Sequence, residues 1–155
     1  VPVPARAGTL GSALEPESNV PSEFFLDDKA AESWKYLKGA KREERTHAGG
    51  GKYFYSEGAM VFPDPVDGPA RTILTGEGGT SPSRFKHVVQ TPSGRLRRLM
   101  PIELERLNGF PDNWTATSRN GPVSDVKRAF FMGNALVVDI IERIGAQLAA
   151  EIRGH

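Results

Sequence analysis

The stretch that decides the fold reads Arg97-Arg98-Leu99-Met100-Pro101-Ile102-Glu103-Leu104-Glu105-Arg106-Leu107-Asn108-Gly109-Phe110-Pro111-Asp112-Asn113-Trp114. It predicts a short helix with both ends marked. Pro101 suits the first helical position, where its missing N–H costs nothing, and Glu103 lies on the favourable side of the helix dipole. Gly109 can end the helix in a left-handed conformation, and Pro111 just beyond it cannot continue the helix.

Length and composition indicate one modest domain. The chain has 155 residues, of which 38% are apolar and 25% charged, enough for a core and incompatible with wholesale disorder. It has no apolar run of about 18 residues, so no membrane partner is expected. It has no secretory h-region and begins at Val1, so we expect a processed chain or a fragment located in the cytoplasm.

The chain contains no cysteine, which excludes disulfides, thiolate metal ligands and thiol nucleophiles within it. Its three histidines, His47, His87 and His155, are scattered without metal-binding spacing, so no metal site is predicted. His87 is expected to be structural or a donor facing DNA.

The net charge of +1 hides basic segments. Residues 35–52 carry six bases against two acids, and residues 84–98 carry five bases and no acid. Such patches suit a polyanionic partner, although a solvated basic face is the commoner meaning of any one of them.

The pattern along the chain predicts an α+β unit. Residues 1–22 resemble a flexible segment, and a helix capped by Asp27 or Asp28 should follow. Residues 38–51 form a charged segment that ends in three glycines, either an exposed loop or a segment that follows a phosphate backbone. Five short strands are then expected, at residues 52–55, 58–62, 71–75, 84–90 and 95–99.

The C-terminal region from Ser124 is predicted to be helical, with an interruption at Gly133-Asn134. The second helix carries an apolar stripe that must dock somewhere. The stripe consists of Leu136, Ile140, Ile144, Leu148 and Ile152.

The glycine-rich segment Gly76-Glu77-Gly78-Gly79 lacks the Lys-Ser/Thr of a P-loop and the spacing of a dinucleotide fold. Arg71, Thr72, Arg84 and Lys86 flank it. Glycines allow a backbone to approach a surface, and Arg and Lys neutralise phosphates, so the segment suits a loop that reads DNA. A tight loop that only connects strands is the alternative.

The order Arg-Arg-Leu, then Pro-x-Glu-x-x-Arg-Leu-x-Gly-Phe-Pro-Asp over residues 97–112, resembles the ninth motif of the DNA cytosine-5 methyltransferases. In that family this segment packs the target-recognition domain. Arg71 to Gly79 resembles the recognition loop that precedes the motif, and Tyr55 to Gly58 the segment leading into it. The resemblance implies a double-stranded DNA partner and, in a prokaryotic source, association with the nucleoid. The implied DNA-binding residues are Arg71, Thr72, Thr75, Gly76, Glu77, Gly78, Gly79, Ser81, Arg84, Lys86 and Arg97.

Residues 128–138 resemble the tenth motif of the same family, whose Gly-Asn turn lines the S-adenosylmethionine pocket. Gly133, Asn134 and Ala135 are therefore the candidate cofactor-binding residues. In the family the following helix crosses back onto a separate, Rossmann-like catalytic domain. The resemblance thus implies a β-rich target-recognition domain over residues 23–100, a connecting helix and turn over 101–122, and docking helices over 123–155.

The family's chemistry needs a cysteine from a Pro-Cys motif, which attacks a flipped cytosine, and a Glu-Asn-Val motif. This chain has neither, so no catalytic residue is predicted. Two hypotheses remain. The chain is the recognition part of such an enzyme in a restriction–modification setting, active only with a catalytic domain or subunit. Alternatively, it is a stand-alone DNA-binding module without enzymatic activity. The sequence that it reads is not predicted.

Overall fold

The computed structural model describes residues 8–153, which form an α+β fold of small antiparallel sheets and several helices. The helices are α1 (Leu10–Ala13), α2 (Asp28–Lys38), α3 (Pro101–Leu107), α4 (Asp125–Asn134) and α5 (Val138–Arg153). The strands are β1 (Lys41–Thr46), β2 (Lys52–Glu57), β3 (Val88–Gln90), β4 (Leu96–Arg98), β5 (Thr117–Ser118) and β6 (Gly121–Pro122). Each odd-numbered strand pairs with the next strand, in three two-stranded sheets.

The core lies where α3, α4 and the β3–β4 hairpin meet. Its buried side chains come from widely separated parts of the chain. Packing between elements, rather than long strands, therefore stabilises the fold. They are Leu10, Ile73, Val89, Leu99, Leu104, Ala129 and Met132.

The predicted α3 helix is confirmed with both of its ends. Pro101 occupies the first helical position, and the Glu103 carboxylate accepts the Met100 backbone N–H at 2.7 Å. Gly109 has φ +79°, the left-handed conformation that favours glycine. The helix predicted to follow a cap at Asp27 or Asp28 is also confirmed. It is α2, and Asp27 is its cap: the Asp27 carboxylate accepts the Ala30 N–H at 2.7 Å.

The N-terminal segment differs from the prediction of flexibility. Leu10 and Ala13 are buried, and the Leu10 N–H donates to the Gly68 carbonyl oxygen at 2.8 Å. Farther on, the Glu15 N–H donates to Glu103 at 2.8 Å. The composition of this segment, rich in Pro, Gly, Ser and Glu, gave no apolar pattern that pointed to the burial of Leu10 and Ala13. The part of the prediction that concerns residues 1–7 lies outside the described residues.

The charged segment 38–51 has two predicted alternatives, an exposed loop or a segment that follows a phosphate backbone. The loop alternative is wrong over residues 41–46, which form β1 and pair with β2 from Lys41↔Glu57 to Thr46↔Lys52. The charged side chains are compatible with a strand because both faces of this ribbon are largely exposed. The Arg42 guanidinium stacks 4.8 Å from the Phe54 ring, and that of Arg45 lies 3.7 Å from the Tyr55 ring.

The strands predicted at 58–62 and 71–75 are absent, and the one at 84–90 shortens to β3. The backbone of the second segment lies against α4 instead of a partner strand. In the segment 84–90, side chains donate hydrogen bonds to a backbone carbonyl oxygen that a longer strand would pair with its neighbour. Lys38 and Arg71 both donate to the Lys86 carbonyl, at 2.7 and 3.0 Å.

The two C-terminal helices are confirmed, but the interruption is displaced. Helix α4 continues through Gly133 and Asn134, and the chain leaves helical geometry at Ala135. Across residues 8–153, no helix has both the length and the apolar character to cross a membrane.

Candidate nucleic-acid interface

The glycine-rich segment forms a compact double turn, residues 74–81, which we call loop 74–81. The Glu77 N–H donates to the Leu74 carbonyl at 3.0 Å, and the Gly79 N–H donates to the Gly76 carbonyl at 3.0 Å. Leu74, Thr75, Gly76, Thr80 and Ser81 are exposed, whereas Glu77 is buried. The loop therefore presents hydroxyl groups and backbone to solvent and turns its only carboxylate inward.

A buried pair anchors the middle of the loop. One oxygen of Glu77 accepts the His87 backbone N–H at 2.5 Å and lies 3.0 Å from Nδ1 of the His87 ring. Both side chains are nearly inaccessible to solvent. His87 therefore has a structural role, which is one of the two roles predicted for it. Glu77 holds the loop from its buried side.

Lys86 holds the far end of the loop. Its ammonium donates to the carbonyl oxygens of Gly79 at 2.9 Å and Ser81 at 2.8 Å. Burial lowers the pKa of Lys86, Glu77 opposes that shift, and Arg98 adds to it. The cation thus closes the turn by binding two carbonyl groups of the loop itself.

A second buried cluster joins the start of the loop to α2. Asp64 accepts hydrogen bonds from Arg71 Nε at 2.7 Å, Lys38 Nζ at 3.3 Å and the Val88 N–H at 2.8 Å. Burial by itself disfavours the Asp64 charge, but these partners outweigh it and the pKa of the carboxyl is lowered. Burial also lowers the pKa of Lys38, against the opposing effect of Asp64.

Two further cations from the predicted DNA-binding set are engaged inside the protein. Arg84 pairs with Glu57 at 3.2 Å and donates to backbone carbonyls, including that of Gly58. The Arg97 side chain is 2% exposed and forms two hydrogen bonds to Glu103, at 2.9 and 2.7 Å.

The structure thus divides the predicted DNA-binding residues into two groups. Arg71, Arg84, Lys86 and Arg97 direct their donors at protein oxygens, and Glu77 is buried. Four of the remaining residues are exposed: Thr72, Thr75, Gly76 and Ser81. Gly78 and Gly79 are half-buried between the two groups.

Sequence reasoning missed Asp64, Lys38 and Glu103 as the partners of these cations. Asp64 lies between two prolines, a pattern typical of an exposed turn. Lys38 and Glu103 look like ordinary charges at helix ends. The pairs Arg97–Glu103 and Arg71–Asp64 join residues six and seven positions apart, whereas Lys38 and Asp64 are 26 positions apart.

Two of the three candidate cofactor residues line a groove. It has a volume of about 610 Å³, and its walls include Arg71, Thr72, Gly133 and Ala135. A small-molecule site commonly has about this volume. Asn134 is exposed, and its amide donates to the Phe130 carbonyl at 3.0 Å.

The predicted apolar stripe of α5 is exposed along its whole length. Ile140, Ile144 and Leu148 are each a little more than half exposed, at 54%, 52% and 54%. Leu136, which the structure places just before α5, and Ile152 extend the surface at either end, and Ile141 lies beside it, with 69%, 76% and 45% exposure respectively. We call these six residues the α5 face.

Comparison with known proteins agrees with the two motifs. The profile of the C-5 cytosine-specific DNA methylases matches residues 12–150. The chain is 45% identical to the type II methyltransferase M.Sau3AI of Staphylococcus aureus over 148 residues, which cover 96% of this chain and 34% of that protein. It is 26% identical to the type II methyltransferase M.HpaII of Haemophilus parainfluenzae over 153 residues, 90% of this chain and 38% of that protein.

The chain therefore spans about a third of the length of these curated relatives. No solved structure gives a significant match. The family profile covers both the α3 segment and α4, the two places where the motifs lie. The chain belongs to the family of C-5 cytosine-specific DNA methylases.

Proposed function

We propose that this chain is the DNA-recognition part of a DNA cytosine-5 methyltransferase. One observation carries the proposal: a glycine-rich loop with exposed hydroxyls is held by hydrogen bonds from Lys86 and His87, next to a groove lined by Gly133 and Ala135. A loop ordered before binding loses less conformational entropy when it meets DNA.

In this proposal the exposed residues touch DNA and the buried cations shape the loop. Thr75, Gly76 and Ser81 would present hydroxyls and backbone amides to base edges, and Thr72 would hold a phosphate. Arg71, Arg84, Lys86 and Arg97 keep the backbone in register. The positive charges near the loop also favour approach of a polyanion.

Gly133 and Ala135 would hold part of S-adenosylmethionine, which supplies the methyl group when bound. Small side chains at the groove wall leave room for such a ligand, and the groove volume suits it. Asn134 lies beside the groove in this arrangement. The rest of the pocket would come from a Rossmann-like catalytic domain or subunit, with the complex working in the cytoplasm.

The nucleophile must also come from that catalytic part. This chain has no cysteine, and a serine hydroxyl is a poor nucleophile without an activating base. A target cytosine flipped out of the duplex would be attacked by the catalytic part while this chain holds the flanking DNA. The α5 face is the surface that we propose meets the catalytic part, since an apolar patch of this kind marks an interaction site.

Mixing the chain with a catalytic part that carries Pro-Cys and Glu-Asn-Val tests this function. We expect transfer of a labelled methyl group to duplex DNA only when both components are present. Methyl transfer by the chain alone would contradict the assignment. Failure of the mixture, with a catalytic part shown to fold and to bind S-adenosylmethionine, would contradict it too.

A stand-alone DNA-binding module is the second candidate. The observation in its favour is that residues 8–153 include a buried apolar core, which an independently folding module requires. Under this hypothesis the chain binds duplex DNA by itself, and adding a catalytic part does not produce methyl transfer. The mixing experiment separates the two functions, because only the first predicts methyl transfer.

A further inference from the structure

One face of α4 lies directly against the backbone of loop 74–81. A Cβ added to Gly133 would lie 2.5 Å from Thr75 Cα, and closer still to Thr75 N and Leu74 C. Real Cβ atoms do not come so near to backbone atoms. Any side chain at position 133 would therefore displace the start of the loop.

A second close contact lies one turn earlier on α4, and here the glycine belongs to the loop. A Cβ on Gly78 would lie 2.8 Å from the Ala129 Cβ and 2.9 Å from the Val126 Cα. Ala129 and Gly133 are four residues apart, so they lie on one face of α4. We call the surface formed by Val126, Ala129 and Gly133 the seat. Both ends of the Thr75–Gly78 turn pack against the seat.

We propose that the seat positions the loop for DNA recognition, so that Gly133 and Gly78 are positioning residues. The inference rests on the proposed function, and it deepens it. Glu77 and Lys86 hold the loop from the other side through His87 and the carbonyls of Gly79 and Ser81. The loop is thus fixed between α4 and the β3 side of the molecule.

This arrangement gives Gly133 a role distinct from lining a cofactor pocket. Gly133 belongs to the wall of the groove, and the direction in which its Cβ would point is filled by Leu74 and Thr75. Substitution at this position must therefore move the loop even when no cofactor is present. A pure cofactor-lining role predicts no such effect.

The test compares Gly133→Ala and Gly78→Ala with Gly145→Ala in the full chain. Gly145 is also a helical glycine, but a Cβ there meets nothing within 4 Å. Duplexes are first selected from a fluorescein-labelled pool with a randomised centre, using the unmodified chain. Binding of a selected duplex and of the unselected pool is then measured by anisotropy, without cofactor.

We expect Gly133→Ala and Gly78→Ala to weaken binding of the selected duplex by roughly tenfold or more, the scale of one lost base contact. Binding of the unselected pool should change little, because phosphate contacts dominate it. Gly145→Ala should leave both affinities unchanged. Merely structural damage would lower both affinities together, so an equal loss on selected and unselected DNA overturns the proposal.

Hydrogen exchange in the unmodified chain supplies a measurement that needs no variant and no DNA. The amides of Glu77 and Gly79 should be protected together with those of α4, and both should exchange faster in Gly133→Ala. Loop amides that exchange much faster than α4 in the unmodified chain overturn the seat itself. If the seat is seen by exchange but the chain binds no duplex even with the catalytic part present, the proposed function fails, whereas the packing of the loop on α4 still stands.

Discussion

At the scale of single residues, charges buried in pairs fix the backbone around the candidate interface. Glu103 accepts two hydrogen bonds from Arg97 and one each from the Met100 and Glu15 N–H groups. We expect Glu103→Gln to lower the free energy of unfolding by about 3–5 kcal/mol, because it leaves the Arg97 charge buried without a counter-ion. Urea denaturation measures this. The matched control is Glu32→Gln on the exposed surface of α2, which should change stability by less than about 0.5 kcal/mol. A similar loss in both variants would contradict the argument.

The Asp64 cluster predicts a dependence of stability on pH. The pKa of Asp64 is lowered in the folded chain, because Arg71, Val88 and Lys38 outweigh the effect of burial. Its stabilising contribution is therefore complete above the unfolded pKa, near 3.9, and is lost as the pH falls toward the folded pKa. We expect the free energy of unfolding to decrease from about pH 4 downward.

The variant Asp64→Asn should flatten that acid dependence. At neutral pH it should also cost about 3 kcal/mol, since Lys38 and Arg71 lose their counter-charge. Urea denaturation at a series of pH values gives both quantities, with Asp67→Asn as the exposed control. An acid dependence that is the same in Asp64→Asn and the unmodified chain would show that other carboxyl groups cause it.

At the scale of elements, the N-terminal segment is a structural part of the core. Leu10 is 1% exposed, whereas Leu136 is 69% exposed. We expect Leu10→Ala to cost about 2–5 kcal/mol, the range for a leucine removed from a packed core. Leu136→Ala, the same chemical change on the α5 face, should cost less than about 0.5 kcal/mol. Denaturant midpoints compare the two variants directly. A neutral Leu10→Ala would mean that α1 does not contribute to the core in solution.

At the scale of the whole molecule, the α5 face is the surface that we propose docks on the catalytic part. Replacing Ile144 and Leu148 with glutamate places charge in the proposed apolar contact, and burying it there would be costly. We expect this double variant to lose association with the catalytic part, measured by analytical ultracentrifugation, while the thermal midpoint of the isolated chain stays unchanged. Ala146→Glu, on the opposite side of the helix by its 100° spacing per residue, is the control and should still associate. Equal association of all three proteins would place the docking surface elsewhere.

Local signals predicted the elements that carry their own start and stop residues. Pro101 and Gly109 bound α3, and Asp27 caps α2, because capping depends on residues within a few positions of each other. Strands on both sides of residues 91–94 were also predicted, because strand and turn signals are local too, and the structure pairs them as β3 and β4. The strand β1 was missed, since a run of charged residues gives no alternation when both faces are exposed.

The sequence by itself determined the family and the order of its motifs, the absence of a cysteine nucleophile, and the helices bounded by Pro, Gly and Asp. Only the tertiary structure decided which candidate residues face solvent. Arg71, Arg84, Lys86 and Arg97 look like phosphate ligands in the sequence, yet they bind Asp64, Glu57, Glu103 and backbone carbonyls. Burial is a property of long-range packing, and a cation taken out of water must find a counter-charge or an acceptor wherever the chain brings one near. The same long-range packing made Gly133 the contact point for the loop, which its position in a motif did not reveal.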